Sequence, residues 1–295
     1  MEKQDLSEWK KAGSIGADVM AYAKKVIKPE APLLEIAERV ENYIRKKKVS
    51  LAFPVNLSIN DVAAHFSPTR NDKSVAKGLI KIDLGTMKDG FLSDTAASID
   101  LTPENKFKEL IKASEEGLKA GIKAMKINQE IKNVGKEIDK AISDKGFNPI
   151  RNLSGHKIDK WSLHAGMNVP NYDNKEKTRI KEGIYAVEPF ATTGAGLVRE
   201  GKPSNIYILQ QDRPTRLGRD VLNYIKKEYK TLAFCSRWIT DKFGPGSVLS
   251  LQRLTQDGIL HQFSQLINEP KEHTSQSEHT IAVLENKTIV LTERD

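Results

Sequence analysis

The spacing of hydrophobic and polar positions changes period along the chain, and the changes mark its elements. Leu6, Trp9, Ala12, Val19, Met20, Ala23 and Val26 form one apolar stripe of a helix over residues 6–27. Ile36, Val40 and Ile44 recur every four residues, predicting a second helix from Leu33 to Lys48. The period then drops to two. Ile80, Ile82 and Leu84 alternate with polar residues, and Phe91, Ser93 and Thr95 continue the pattern across the turn signal Lys88-Asp89-Gly90. Helical spacing returns after Thr102-Pro103-Glu104, an N-cap followed by proline, and runs through LIKASEEGLKAGIKAMKI. A fourth helix is expected from Glu130 to Lys145, stopped by Gly146.

The second half returns to strands over Ile184–Phe190 and finishes in a hairpin, HTIAVLENKTIVLT. Between them, from roughly Pro203 to Glu272, RDVLNYIKKEYK, SRWITDKFG and SVLSLQRLTQDG read as helices, with Gly258 as a cap. This block is expected to be an inserted helical subdomain. Lys77-Gly78 and Lys181-Glu182-Gly183 both lead into strands, a faint sign of a duplicated α/β half.

Composition narrows the class. A chain of 295 residues with 29% charged and 6% aromatic residues fits a soluble globular protein. No run approaches the roughly 18–20 apolar residues that span a membrane, and MEKQDLSEWKKAG carries no secretory signal. The single Cys235 excludes an internal disulfide framework and fits the cytoplasm. The net charge of +8 comes largely from lysines on helix faces; it allows weak attraction to a ribosome surface. No RNA-binding motif with interleaved aromatics accompanies it, so no specific nucleic-acid partner is expected. No heptad or large apolar patch argues against a monomer.

The candidate chemistry starts with two aspartates. A hairpin centred on Lys88 and Asp89 would set Asp83 directly opposite Asp94, with Cβ atoms roughly 4.5–5.5 Å apart. Charges that close repel, and two metal ions about 3.5–4 Å apart would fit between them. Other candidates lie in similar settings. His156 sits in the turn Asn152-Leu153-Ser154-Gly155-His156, with His164 eight residues on. Glu188 interrupts the apolar run Tyr185–Phe190, where a charge is costly unless paired or coordinated. Glu278 opens another apolar strand, and His65 follows FPVNLSIND. Two Asp, one His and two Glu make an oxygen-rich set suited to Mn, Fe, Co or Zn.

These segments resemble a known family. AFPVNLSINDVAAH, KIDLGTMKDGFLSDTA, NLSGHKI, LHAG, AVEPFATTGAG, TLAFCSRW and SEHTIAV are similar to the motifs of type 2 methionine aminopeptidases, and they cover nearly the whole chain. The resemblance implies a pita-bread fold of class α/β (α+β). Its pseudo-twofold halves would surround a curved, mostly antiparallel sheet within one catalytic domain, 1–295. The insertion at about 203–272 would be winged-helix-like. It also implies removal of N-terminal methionine from nascent polypeptides by a water activated at two divalent ions. Asp83 would serve one ion, Asp94 and Glu278 would bridge both, and His156 and Glu188 would complete the other. His65 and His164 would face the substrate, with Glu188 shuttling a proton. Phe53, Leu163, Phe263 and Leu266 would line the methionine pocket. One departure stands out: the family commonly has an aromatic where this chain has Ser277, so looser local packing is expected there.

Three other readings share parts of this pattern. Xaa-Pro aminopeptidases and prolidases have the same fold and a similar ligand set, but usually a large extra N-terminal domain. Non-catalytic pita-bread proteins act as binding modules and typically lose ligands, whereas all five are present here. Ile82-Asp83-Leu84-Gly85-Thr86 also resembles the first phosphate loop of actin-like kinases, but no second glycine-rich loop follows.

Overall fold

The computed structural model describes residues 3–294. Helices α1 (Lys3–Val26) and α2 (Leu33–Lys46) come first. Strands β1 (Ser50–Leu51), β2 (Asn56–Ile59), β3 (Val62–Ala64), β4 (Leu79–Lys88) and β5 (Phe91–Asp100) follow. Helices α3 (Lys108–Ala124) and α4 (Ile131–Ser143) precede β6 (Asn148–Pro149), β7 (Ser154–Ile158), β8 (Asn168–Pro170), β9 (Gly183–Val187) and β10 (Phe190–Thr192). The next segment holds β11 (Arg199–Leu209), α5 (Arg219–Glu228), β12 (Phe234–Cys235), α6 (Ser236–Phe243), α7 (Ser247–Gln256) and β13 (Leu260–Ile267). The described chain closes with β14 (Thr274–Gln276), β15 (Glu278–Leu284) and β16 (Lys287–Val290).

Among the described residues, nine strands form the main sheet, in the order β1-β4-β5-β15-β9-β7-β8, with β2 beside β4 and β16 beside β15. Every pairing in it is antiparallel. The four leading helices cover one face in two pairs. Ile80, Ile82 and Leu84 of β4 pack with Val19, Ile36, Val40 and Ile44 from α1 and α2. Tyr185, Val187, Ile281 and Val283 from β9 and β15 pack with Leu110, Val134, Ile138 and Ile142 from α3 and α4. Strand side chains alternate between faces, so residues 83, 94, 278 and 280 point away from the helices. The expected pairing of two α/β halves is therefore present. No helix among the described residues is long and apolar enough to cross a membrane.

Several local expectations need correction. The hairpin register is Lys88 with Phe91, which sets Asp83 opposite Ala96 and Asp94 opposite Gly85. The loop is Asp89-Gly90, both at positive φ (54° and 89°), as a two-residue hairpin turn requires. A Cβ on Gly90 would also lie 2.3 Å from the Trp161 indole nitrogen. The aspartates are thus diagonal neighbours instead of direct partners. They still share a face, because each moved by two positions.

Helix α3 begins at Lys108, not at Thr102. The Asp100 carboxylate accepts from the Thr102 amide and hydroxyl and from the Phe107 amide, and the Thr102 hydroxyl accepts from Lys106. Asn105 at φ 52° completes a turn that helix cannot include. The strand expected over 184–190 breaks at Glu188-Pro189, where proline has no N–H for a ladder.

The segment 203–272 holds the three expected helices, with Gly258 at φ 67° after α7, but it is not purely helical. Strands β11 and β13 run beside each other and join β12 and β3 in the order β12-β11-β13-β3. Tyr207, Ile225, Phe234, Trp238, Leu251 and Leu260 form a separate apolar cluster there.

The region around Ser277 is not loosely packed. Residues 274–278 are all buried. Ser277 Oγ lies 2.8 Å from Ser114 Oγ on α3, and Ser275 Oγ donates to the Leu110 carbonyl at 2.7 Å. Two small hydroxyls bonded to each other fill this position.

Candidate metal centre

Five neighbouring strands, β4-β5-β15-β9-β7, each deliver one of the predicted ligands. Asp83 and Asp94 stand on β4 and β5, Glu278 begins β15, Glu188 follows the end of β9, and His156 is central in β7. Ala96 is the cross-strand partner of both Asp83 and Glu278, so its methyl leaves room between the two carboxylates. His156 opposes Ala186, which opposes Thr280, bringing the imidazole onto the same face. A Cβ on Gly155 would lie 2.3 Å from the Ala186 carbonyl oxygen, so only glycine lets β7 approach this closely.

Asp94, His156 and Glu278 offer ligand atoms all within 4.8 Å of one another. His156 Nε2 is 3.5 Å from Asp94 Oδ2. Asp83 and Glu188 join through Gln276, whose Nε2 lies 3.4 Å from an oxygen of each. Buried polar atoms normally find partners, yet here Asp83 Oδ1, Asp94 Oδ1, His156 Nδ1 and both Glu278 oxygens have none.

Electrostatics follow from that crowding. Burial first, then the Asp94 charge, raises the Asp83 pKa well above the usual carboxylate range. Burial pushes Asp94 up to about 7. Glu188 is raised by burial and by Asp83 and Asp94, and Glu278 by burial and by Asp94, Glu188 and Asp83. Burial lowers His156 to about 4, which leaves a neutral imidazole ready to ligate. Four carboxylates and a neutral imidazole with orphaned atoms fit divalent cations, whose charge offsets the repulsion.

The two other histidines border this cluster. The His164 ring centroid is 4.1 Å from that of His156. Its pKa is lowered to about 3, first by loss of surrounding water and then by His156. His65 sits at φ 63°, a conformation costing about 1–3 kcal/mol in a residue with a Cβ. Its Nδ1 is 3.2 Å from the Ser264 carbonyl, and its ring stacks edge-on against Phe263 at 5.2 Å. Of the expected pocket residues, Phe53 and Leu163 share one apolar cluster. Leu266 packs elsewhere, with Ala63, Ile150, Phe190 and Val198, and pairs with Ala64 next to His65.

Sequence reasoning missed the residues that hold the ligands in place. The Thr280 hydroxyl accepts from the Asp94 amide and donates to its carbonyl, both at 2.8 Å. Thr95 Oγ1 donates to the Glu278 carbonyl at 2.9 Å. Asn171 Nδ2 donates to the carbonyls of Leu153 and Glu188, steadying the break after β9. The polar run before Glu278 was the available signal for Gln276; nothing local marked Asn171.

The model of metallopeptidase family M24 matches residues 7–222. The chain belongs to that family. The match stops inside α5, before Glu278, but similarity to individual members continues. The chain is similar to the methionine aminopeptidase of Pyrococcus abyssi, 40% identical over 98% of this chain and 100% of that protein. Among solved structures, a thermophilic Arx1 superposes with a TM-score of 0.86 at 14% identity, covering 100% of this chain and 92% of that one. The methionine aminopeptidase of Thermotoga maritima gives 0.72 at 20% identity, covering 100% and 98%. At such identities the likeness is one of fold, and that fold is the pita-bread arrangement. As a member of a metallopeptidase family with this buried Asp/His/Glu cluster, the protein binds divalent metal.

Proposed function

We propose that this protein is a metal-dependent aminopeptidase that removes the N-terminal methionine from polypeptides whose second residue is small. Asp83, Asp94, His156, Glu188 and Glu278 would hold two divalent ions. The observation that carries the reading is the convergence of these five side chains, with atoms left unpaired, in a chain similar from end to end to methionine aminopeptidases.

Divalent cations held there would lower the pKa of a water toward neutrality and supply positive charge for the developing oxyanion. The protein's own groups do the rest. Glu188 accepts the proton from the attacking water and passes it to the leaving amine as the C–N bond breaks. His164, beside His156, donates a hydrogen bond to the carbonyl oxygen as it gains charge, while His65, directly after β3 with its Nδ1–H on the Ser264 carbonyl, offers Nε2 to the substrate as an acceptor. A free α-amino group, which a peptide interior does not have, would be recognised at this centre, and that restricts cleavage to the N-terminal residue. Phe53 and Leu163 from the body, with Phe263 beside His65 from the 203–272 subdomain, make the apolar slot for the methionine side chain. One missing methylene in such a slot is worth about 1–3 kcal/mol, so near-isosteres of methionine would be only modestly rejected.

A cytoplasmic setting is supported by one unpaired cysteine, Cys235. The charge of +8 supports electrostatic attraction to ribosomes, which would weaken as salt rises. The decisive assay is methionine release from a Met-Ala-Ser peptide, with and without exhaustive chelation and with Mn, Fe or Co restored. Release that persists after complete metal removal would refute the reading. Release of the residue before proline, with Met-Ala ignored, would move the assignment to the Xaa-Pro branch.

A further inference from the structure

The motif TLAFCSRW carries, just before its final tryptophan, a residue that the reaction does not use. Arg237, on α6, is 2% exposed. Its Nη1 and Nη2 each donate to a Glu41 carboxylate oxygen on α2 at 2.8 Å. The Trp238 indole donates to the same carboxylate at 2.8 Å. The remaining nitrogen of the fork, Nε, donates to the Pro68 carbonyl at 3.2 Å. Asn205 Nδ2 on β11 donates to that carbonyl too, at 3.2 Å. Arg237 Nη2 also reaches Ser67 Oγ at 3.5 Å.

Ser67 and Pro68 are the second and third residues after His65. A histidine at positive φ persists only where its surroundings over-determine the backbone. Upstream, Ala64 is paired to Leu266. At the residue itself, the ring meets the Ser264 carbonyl. Directly after it, the Phe66 carbonyl accepts from the Leu57 amide at 2.7 Å. Downstream, the restraint comes from the buried Arg237–Glu41 pair. A buried ion pair is a weak source of net stability, and its best-attested use is to specify one arrangement among several.

We propose that Arg237 is a positioning residue for His65: anchored on Glu41, it fixes the Ser67-Pro68 backbone and so keeps the His65 imidazole aimed at the substrate. Its kinetic readout rests on the aminopeptidase reading; its structural readout does not. Lysine keeps the charge but cannot span Glu41 and Pro68 with a single ammonium. Arg237→Lys should shift the His65 ring signals in NMR, assigned by their loss in His65→Ala, while leaving those of His164 in place. It should also lower kcat/KM for Met-Ala-Ser on the order of 10- to 100-fold at unchanged metal content. Asn205→Ala, which removes the other donor to Pro68, should act in the same direction and less strongly. In a His65→Ala background, Arg237→Lys should cause little further loss, because both changes remove one function. Unshifted His65 signals in both variants, or a full second loss on top of His65→Ala, would overturn the proposal. If Arg237→Lys does not fold, Asn205→Ala decides by the same two criteria. A wild-type protein that releases no methionine would refute the peptidase reading and leave the NMR comparison to decide the positioning role.

Discussion

Glu41 and Glu278 are buried to the same degree, each 1% exposed, in opposite surroundings. Glu41 meets two Arg237 nitrogens, the Trp238 indole and, at 3.6 Å, Arg45. Neither oxygen of Glu278 has a partner, and its charged neighbours are Asp94, Glu188 and Asp83. A carboxylate stays ionised in such a place only with a cation. Within one residue type the contrast separates two uses of a buried charge. Satisfied by protein, it fixes an arrangement of backbone. Left unsatisfied, it marks where a ligand belongs.

The largest test of this contrast removes a ligand. Asp94→Ala should lose at least about a thousandfold in methionine release, some 4 kcal/mol of transition-state stabilisation. Elemental analysis should show less metal, while circular dichroism stays native. Full activity in that variant would end the metal assignment. Next comes stability. Glu41→Ala strands a buried guanidinium and should cost about 3–5 kcal/mol in denaturant unfolding. Glu278→Gln should instead raise the midpoint of metal-free protein, since it relieves repulsion. If both lowered stability equally, the distinction between them would collapse.

A third test uses pH. A carboxylate whose pKa rises on folding binds more protons folded than unfolded, so its contribution is complete below the unfolded pKa and is lost as pH climbs through the folded one. Asp94 is raised to about 7, and Asp83, Glu188 and Glu278 are raised as well. His156 and His164, whose pKa values are lowered, act in the opposite sense below about pH 6.5. The melting temperature of metal-stripped protein should therefore fall above that, from about pH 6.5 to pH 8. Added Mn or Co should restore more at pH 8 than at pH 5. A profile that is flat, or that rises with pH, across that window would contradict the buried unpaired cluster. The smallest effect is at Ser277. Ser277→Ala breaks its bond to Ser114 and should cost about 1 kcal/mol, with metal content unchanged.

Much of the ligand wall was legible because its residues interrupt apolar strands. A charge inside AVEPF or beside HTIAV is conspicuous, and period-two spacing says which face it takes. The hairpin register was misjudged by centring the turn on Lys88-Asp89, when Asp89-Gly90 is the pair that accepts positive φ at both positions. Parity survived the error. What could not be read joins distant positions: Glu41 and Arg237 are 196 residues apart, and each alone resembles an ordinary surface charge. Asn171 and Gln276 likewise show their purpose only once β9 breaks and β14 pairs with β10. Strands β11 and β13 were hidden because few of their outer positions are fully buried.

Strand β15 has a consequence for how the protein is born. It joins β5 to β9, yet it comes from residues 278–284, long after both neighbours have been synthesised. Until it threads in, the two halves of the main sheet have no shared ladder, and the chain has two facing edges and an incomplete acidic wall. Contacts this distant in sequence form slowly. The acquisition of activity should therefore be a late event, following translation of the last ligand, and a chain halted at Pro270 should be two loosely joined lobes with an aggregation-prone gap between them.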